Sequence, residues 1–492
     1  MKTGDTKLTF HGSQGFAMVP FAVYILIGGI FSVGLHYYSM KGLCFAAVIS
    51  LLIGFFLCSS KGQYWESIVH GLAQYGNARL IFIFFVIGIF SKLLNKGGIG
   101  NGFVWLSLQL GLTGSGFVVF SFLASAVISM GAGAPIAALF AVIPIFYPPG
   151  ILLGASPAML AGSLISGIFF GDAISPSSQV INTTVMIQHD GVTGEPARLI
   201  PTLRQRTPYI LVAGMAAMVL YAIFGGRGGS MGDVSQIASL SSPQGLWMLV
   251  PLAVLLFICF RTSNLFVGLS YAITTGFAVG LLTGGFQFSD IVSINYETAG
   301  LGGIIFEGIS GMLDVSVSTI LLYGLIAVAV DGGMLEKCCT WLMSGKLAKS
   351  RRGAEAVLAL GTAFTNILLA GCVLPSILMF GGIADQIGQK SGISPERRSI
   401  LMMANATNFS AIIPINSAFV MGGVTIINEM VQNHSYLPTV TPFGIFCFSF
   451  YCLILTGISA WWVVTGAGAE AGEKHVLKQM AMGQALRQHK ES

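Results

Sequence analysis

Apolar runs recur along the whole chain, many of them about 17–22 residues long and so able to cross a ~30 Å hydrocarbon core. They predict spans near 16–35, 42–59, 79–94, 208–225, 245–260, 264–284, 301–334, 400–428 and 441–464, with shorter apolar pieces at 102–112 and 115–130. The segment KGQYWESIVHGLAQYGNAR is amphipathic and predicts an interfacial helix. One stretch breaks the apolar pattern most sharply, GASPAMLAGSLISGIFFGDAISPSSQVINTT, from Gly154 to Thr184. It holds a carboxylate, Asp172, two prolines, Pro157 and Pro176, and a run of hydroxyl and amide side chains. A lipid-facing helix has no use for them, because each unpaired polar group in hydrocarbon costs several kcal/mol. Pro176 removes a backbone donor and predicts a broken helix.

Composition agrees. Only 9% of residues are charged and 54% are apolar, which makes the chain an all-α polytopic membrane protein with broken transmembrane helices. The 64 glycines lie among Leu, Ile, Phe and Val, where they suit close helix packing rather than disorder. The eight cysteines show no metal-ligand spacing and read as small buried hydrophobes. The first apolar run is long enough to span, so no cleaved signal peptide is expected. The net charge of +5 gives no reason to invoke nucleic acid. Loops 189–207, 337–352 and 388–398 and the tail are basic, whereas 226–244, 285–300 and 429–440 are not. This bias predicts a cytoplasmic C-terminus.

The chain repeats itself. Gly154-Ala-Ser-Pro157 is similar to Gly392-Ile-Ser-Pro395, and Pro176 pairs with Pro414, all at a shift of 238 residues. SMGAGAP, ending at Pro135, parallels LAGCVLP, ending at Pro375. Matching broken segments in two halves point to the binding site of a transporter. The predicted hairpin breaks are Gly131, Gly133, Pro135, Gly371 and Pro375. The chain then divides into N-terminal spans and an interfacial segment (1–78), a first repeat (79–207), connecting spans (208–300), a second repeat with the last span (301–465) and a cytoplasmic tail (466–492).

Asp172 is the only acid between Glu66 and Asp190, and no Lys or Arg shares its segment. A proton or Na⁺ is therefore its expected partner, with Ser175 and Ser178 among the neutral oxygens that hard cations prefer. Asp172 also stands where it could cap the helix after the break. Ser177, Gln179, Asn182 and Thr183 extend the candidate site. In the second half Asn405, Thr407, Asn408, Ser410 and Asn416 surround Pro414, with Asn366 ahead of the other break. Interhelical hydrogen bonding explains any one of these but not the cluster. Glu307 and Asp314 are seven residues apart, a spacing that shares a helix face and either lines a proton path or faces water at a span end. The sequence shows no P-loop and no catalytic or metal constellation, so neither an enzyme nor an ATP-driven pump is expected, nor any cofactor beyond Na⁺ or H⁺ as coupling ion.

At FGDAISPSSQVINTT the chain resembles the NhaC-type Na⁺/H⁺ antiporters of the ion-transporter superfamily. Gly171, Asp172, Ser175, Pro176 and Ser178 match that family's motif, and Ile413, Pro414 and Asn416 match its second one. The resemblance implies two inverted repeats with re-entrant hairpins, a homodimer, and elevator-like transport. In a bacterial protein the place would be the inner membrane. The departures are informative: where the family has further acids, this chain has Gln179, Met403-Ala404 and Gly371. Losing acids while keeping neutral hydrogen bonders favours a carrier of a small organic solute, an amino acid or carboxylate, coupled to Na⁺ or H⁺, over a plain Na⁺/H⁺ antiporter.

Overall fold

The computed structural model describes residues 8–73, 75–176, 178–229, 231, 232, 237, 239–262, 264–295, 300–333, 350–414 and 417–468. Among these residues ten helices are long and apolar enough to span a membrane, or eleven if one bent pair counts as a span. The chain is thus a polytopic, nearly all-helical protein.

Several helices start where the sequence supplies a proline or a capping hydroxyl. The first elements are α1 (Val19–Gly29), α2 (Met40–Leu57), α3 (Lys61–Ala73), α4 (Tyr75–Lys96) and α5 (Ile99–Gln109). The amphipathic segment is α3, which buries Tyr64, Ser67 and Ile68. Next come α6 (Ser115–Ala132), α7 (Pro135–Leu152), α8 (Pro157–Ile174) and α9 (Gln179–Met186). Proline occupies the first turn of α7 and α8, where its missing N–H costs no helical bond, and Ser178 caps α9 by accepting from the Ile181 N–H.

The 26-residue α10 (Leu199–Phe224) leads to α11 (Leu249–Thr262), α12 (Leu265–Thr283) and a small hairpin of β1 (Ser293–Asn295) and β2 (Gly300–Gly302). Helices α13 (Ile304–Ser310) and α14 (Leu313–Asp331) follow. The last group is α15 (Arg351–Leu368), α16 (Val373–Lys390), α17 (Pro395–Ile412), α18 (Ala418–Asn433), α19 (Pro442–Phe448) and α20 (Phe450–Thr465).

The sequence repeat reappears in the elements. Helices α6, α7 and α8 have 18 residues each, and so do α15, α16 and α17. Gly133 breaks α6 from α7 in the left-handed region at φ 61°, and Gly371 breaks α15 from α16 at φ 72°. Each unit is a helical hairpin packed on a long helix that itself breaks near proline. The predicted span at 400–428 is therefore two helices, α17 and α18, and the last span bends by 60° between α19 and α20. The short arms cross over: α9 packs on α16 and α17, while α18 packs on α7.

The hairpins open at opposite ends of α10. The mouth of α6–α7 is closed by the Gly114 N–H donating to Leu153 O at 2.7 Å. It is tied to the C-terminal end of α10 by Ser156 N–H to Gly225 O at 2.9 Å. The mouth of the α15–α16 hairpin lies by the loop before α10, where the His189 N–H donates to Asp385 Oδ1 at 2.7 Å. Close helix approach is built in: a Cβ on Gly171 of α8 would collide with the carbonyl of Ala126 in α6.

Candidate functional site

Both hairpin tips stop against the break in the neighbouring long helix. In the first unit Ser175 Oγ donates to Met130 O at 2.7 Å, and the Gln179 N–H donates to Gly133 O at 2.9 Å. In the second, the Ala418 N–H donates to Ala370 O at 2.8 Å and Ser410 Oγ to Gly371 O at 2.6 Å. Breaking a helix frees backbone groups, and these bonds use some of them.

The four breaks meet. Ala134 and Pro135, Gln179 and Val180, Gly371 to Pro375, and Ala418 and Phe419 all line one cavity of about 60 Å³. Each of these segments is the N-terminus of a helix, which carries partial positive charge. Ser178 and Ser417 cap α9 and α18. The other two, α7 and α16, have no side-chain cap at Ala134 and Cys372. Pro135 and Pro375 carry no N–H, so the first-turn donors at the cavity are those of Ile136, Val373 and Leu374, an arrangement that suits an anionic group.

The small cavity borders a larger one of about 610 Å³, and both are lined by Leu80, Gln179, Tyr323, Leu374 and Pro375. The larger cavity also reaches Asn182, Thr183 and Met186 of α9, Asp331 at the end of α14, and Ser67, His70, Asn77 and Arg79. Its volume is within the usual range of small-molecule sites, about 300–1,000 Å³.

Asp172 is 1% exposed and faces elsewhere, into a separate cavity of about 20 Å³ with Arg206, Thr407, Ala404 and Trp462. Its Oδ1 has no hydrogen-bond partner among the described residues. Arg206 donates to the carbonyl of Ala173 and to Met403 Sδ at 3.0 Å. The guanidinium thus satisfies a carbonyl at the broken C-terminal end of α8 and sets a positive charge beside Asp172.

The chain is similar to antiporters. No family model matches it. It is 25% identical over 454 residues to the arginine/ornithine antiporter ArcD of Halobacterium salinarum, covering 87% of this chain and 88% of that one. It is 24% identical over 309 residues to the malate-2H⁺/Na⁺-lactate antiporter of Bacillus subtilis, covering 59% of this chain and 62% of that one. Among solved structures, the YdaH transporter of Alcanivorax borkumensis superposes with a TM-score of 0.41 at 13% identity, covering 81% of this chain and 91% of that one. The relatives support a secondary transporter in a membrane rather than an enzyme.

Several expectations need correction. The segment around Asp172 holds no Lys or Arg, and the fold brings Arg206, which is 6% exposed, to the same cavity without an ion pair between them, while Asp172 Oδ1 has no hydrogen-bond partner among the described residues. Arg206 had been read as part of a basic loop ending at Pro208. The helix instead starts at Leu199 and carries Pro208 inside it, which membrane helices tolerate when neighbours satisfy the freed carbonyl. Glu307 lies on α13 and Asp314 on α14, which join at Gly311 and Met312 within one span. Glu307 pairs with Lys92 at 2.6 Å, and Asp314 lies 3.8 Å from Lys41.

The remaining candidates separate by location. Gln179, Asn182, Thr183, Pro135, Gly371 and Pro375 border the two joined cavities, while Gly131 lies in the last turn of α6. Asn366 donates to Ser376 Oγ at 3.4 Å and to Ser410 Oγ at 3.0 Å, tying the second hairpin to α17. Asn405 donates to Ser459 Oγ at 2.9 Å, and Thr407 to Met403 O at 2.7 Å. Neither polar atom of the buried Asn408 amide has a hydrogen-bond partner among the described residues. Ser177 and Asn416 lie outside the described residues. Sequence reasoning missed Tyr323, Leu80, Arg79 and Asp331 as cavity residues. Asp331 stands at a span end, and a charge at a span end gives no sign of the cavity it lines.

Proposed function

We propose that this protein is a secondary transporter for a small organic solute bearing a carboxylate, either an amino acid or a hydroxy or simple carboxylic acid. The observation that carries this reading is the pair of uncapped N-termini, of α7 and α16, at a 60 Å³ cavity that adjoins a 610 Å³ one. A carboxylate there would receive backbone N–H groups and two helix dipoles without any Lys or Arg. The solutes printed in the two relatives' names, arginine, ornithine, malate and lactate, all carry a carboxylate.

In this reading the solute enters through the larger cavity and its carboxylate reaches the hairpin tips. The two four-helix units are inverted repeats of the NhaC type, supported by hairpins that open at opposite ends of α10. The basic-loop bias supports a cytoplasmic side of the inner membrane for the larger cavity, and with it a conformation open inwards. Movement of one unit against the other within a homodimer would then expose the tips outside. Gln179, Asn182 and Thr183 contact the solute. Asp172, with Ser175 and Ser178, responds to Na⁺ or H⁺ only when Arg206 withdraws.

The test uses purified protein in sealed liposomes with an internal pH dye. A Na⁺ gradient is applied alone, then with a panel of amino acids and small carboxylates. A signal or uptake that requires a carboxylate-bearing solute is expected. Proton movement driven by Na⁺ alone would replace this reading with a plain Na⁺/H⁺ antiporter.

A further inference from the structure

The larger cavity carries one acid and one strong base that are not paired with each other. Asp331 closes α14, and its Oδ2 accepts from Ser67 Oγ at 2.5 Å. Among the described residues no Lys or Arg is within ion-pair distance of it. Arg79, near the start of α4, lies with its guanidinium 5.9 Å from the Phe266 ring. Its Nε is buried and has no hydrogen-bond partner among the described residues, and it forms no ion pair with them. Both side chains line the same 610 Å³ space, whose remaining wall is largely apolar.

An unpaired charge at a half-buried wall is costly unless something completes it. A dicarboxylate would satisfy Arg79 and be repelled by Asp331. A polyamine would do the reverse, and an uncharged solute would complete neither. Only a solute carrying both charges matches both. We propose that this cavity is a recognition site for a zwitterionic amino acid, with its ammonium group on Asp331 and its carboxylate on Arg79. Tyr323, eight residues before Asp331 on α14, lines the tip cavity as well, so the amino acid is gathered about 12 Å, at 1.5 Å per residue, from the helix N-termini. The carboxylate then passes from Arg79 to those N-termini along α9. This assignment rests on the transporter reading above and narrows its solute class.

The test is thermal unfolding of the detergent-solubilised full chain with millimolar solutes in matched pairs: leucine against 4-methylpentanoate, alanine against propionate, and ornithine against 5-aminopentanoate, which keeps an amine but at the chain end. Ligand that binds the native state raises the melting temperature. Stabilisation by at least one α-amino acid and none by its partner lacking the α-amine is expected. Asp331→Asn should raise the apparent Kd for that amino acid at least tenfold, Arg79→Gln should do likewise, and Asp331→Glu should restore part of the affinity. The pairs need only the wild-type protein, so a variant that fails to fold does not spoil the test. Equal stabilisation by the acids lacking the α-amine, or an unchanged Kd in a folded Asp331→Asn, would overturn the assignment while leaving a carboxylate carrier standing. If no solute of either kind stabilises the protein or crosses the liposome membrane, the transporter reading itself falls, and this one with it.

Discussion

Asp172 and Arg206 face one another across a cavity of about 20 Å³, although 33 residues and the end of a broken helix separate them in the chain. Both are buried, and Arg206 is also held by the Ala173 carbonyl and the Met403 sulfur. The two make no direct ion pair, so removing one charge should cost less than the ~3–5 kcal/mol of breaking a buried salt bridge. Asp172→Asn should therefore lower the melting temperature modestly, and Asp172→Asn with Arg206→Met should recover part of the loss. Thermal unfolding of the single and double variants checks this. A folded, fully stable Asp172→Asn would mean that the two charges do not interact.

The same pair bears on ion dependence. With Arg206 in place, a positive charge already stands at the cavity of Asp172. Arg206→Met should make transport more dependent on Na⁺ or pH than in the wild type, because an external cation must then neutralise Asp172. Rates measured in liposomes over a range of Na⁺ concentration and pH give the comparison, and identical profiles would count against it.

Close packing of α6 on α8 depends on Gly171. Any side chain there meets the Ala126 carbonyl, which is backbone and cannot rotate away. Gly171→Ala should cost about 1–3 kcal/mol, the usual penalty of overpacking a well-packed interior. The melting temperature should fall, and Asp172, one residue on, should lose its seat beside Arg206. Unchanged stability would show that α6 and α8 can separate.

A further prediction concerns the mouth of the second hairpin. Arg397 donates to both oxygens of Glu355, at 3.1 and 2.8 Å, with both side chains almost fully buried. This joins the second turn of α15 to the first turn of α17. Glu355→Gln should destabilise by about 3–5 kcal/mol, whereas replacing both residues by apolar ones should cost little or nothing. Denaturant or thermal unfolding of the three proteins distinguishes the two cases.

Much of this arrangement is visible in the chain. Apolar runs locate the spans, and the Gly and Pro positions locate the breaks at Gly133, Ser175–Ser178 and Gly371. The offset between Pro157 and Pro395 announces the paired units. These are local signals, set by which residues a helix tolerates. Other features come from the fold alone. The meeting of four helix N-termini needs the crossover of α9 and α18, which no local pattern encodes. Pro208 made the start of α10 look like a loop, and so hid Arg206 from Asp172. Seven-residue spacing suggests one face for Glu307 and Asp314, and only the fold shows their separate partners, Lys92 and Lys41. Arg79 and Asp331 each look like an ordinary charge at a membrane edge until the bundle brings them to one cavity.

The central claim is that the solute's carboxylate meets the free N–H groups at the hairpin tips, and a substitution that deletes one of them tests it most directly. Val373 is the first residue of α16, and Cys372 before it is extended at φ −74° and ψ 105°, the backbone a following proline requires. Val373→Pro therefore removes an N–H at a position where proline fits a helix. Liposome uptake of the carried solute is the measurement. The expected result is a folded protein whose KM rises about tenfold or more, the equivalent of losing one hydrogen bond to a charged group. A folded Val373→Pro with wild-type KM would contradict the claim that the carboxylate is held there.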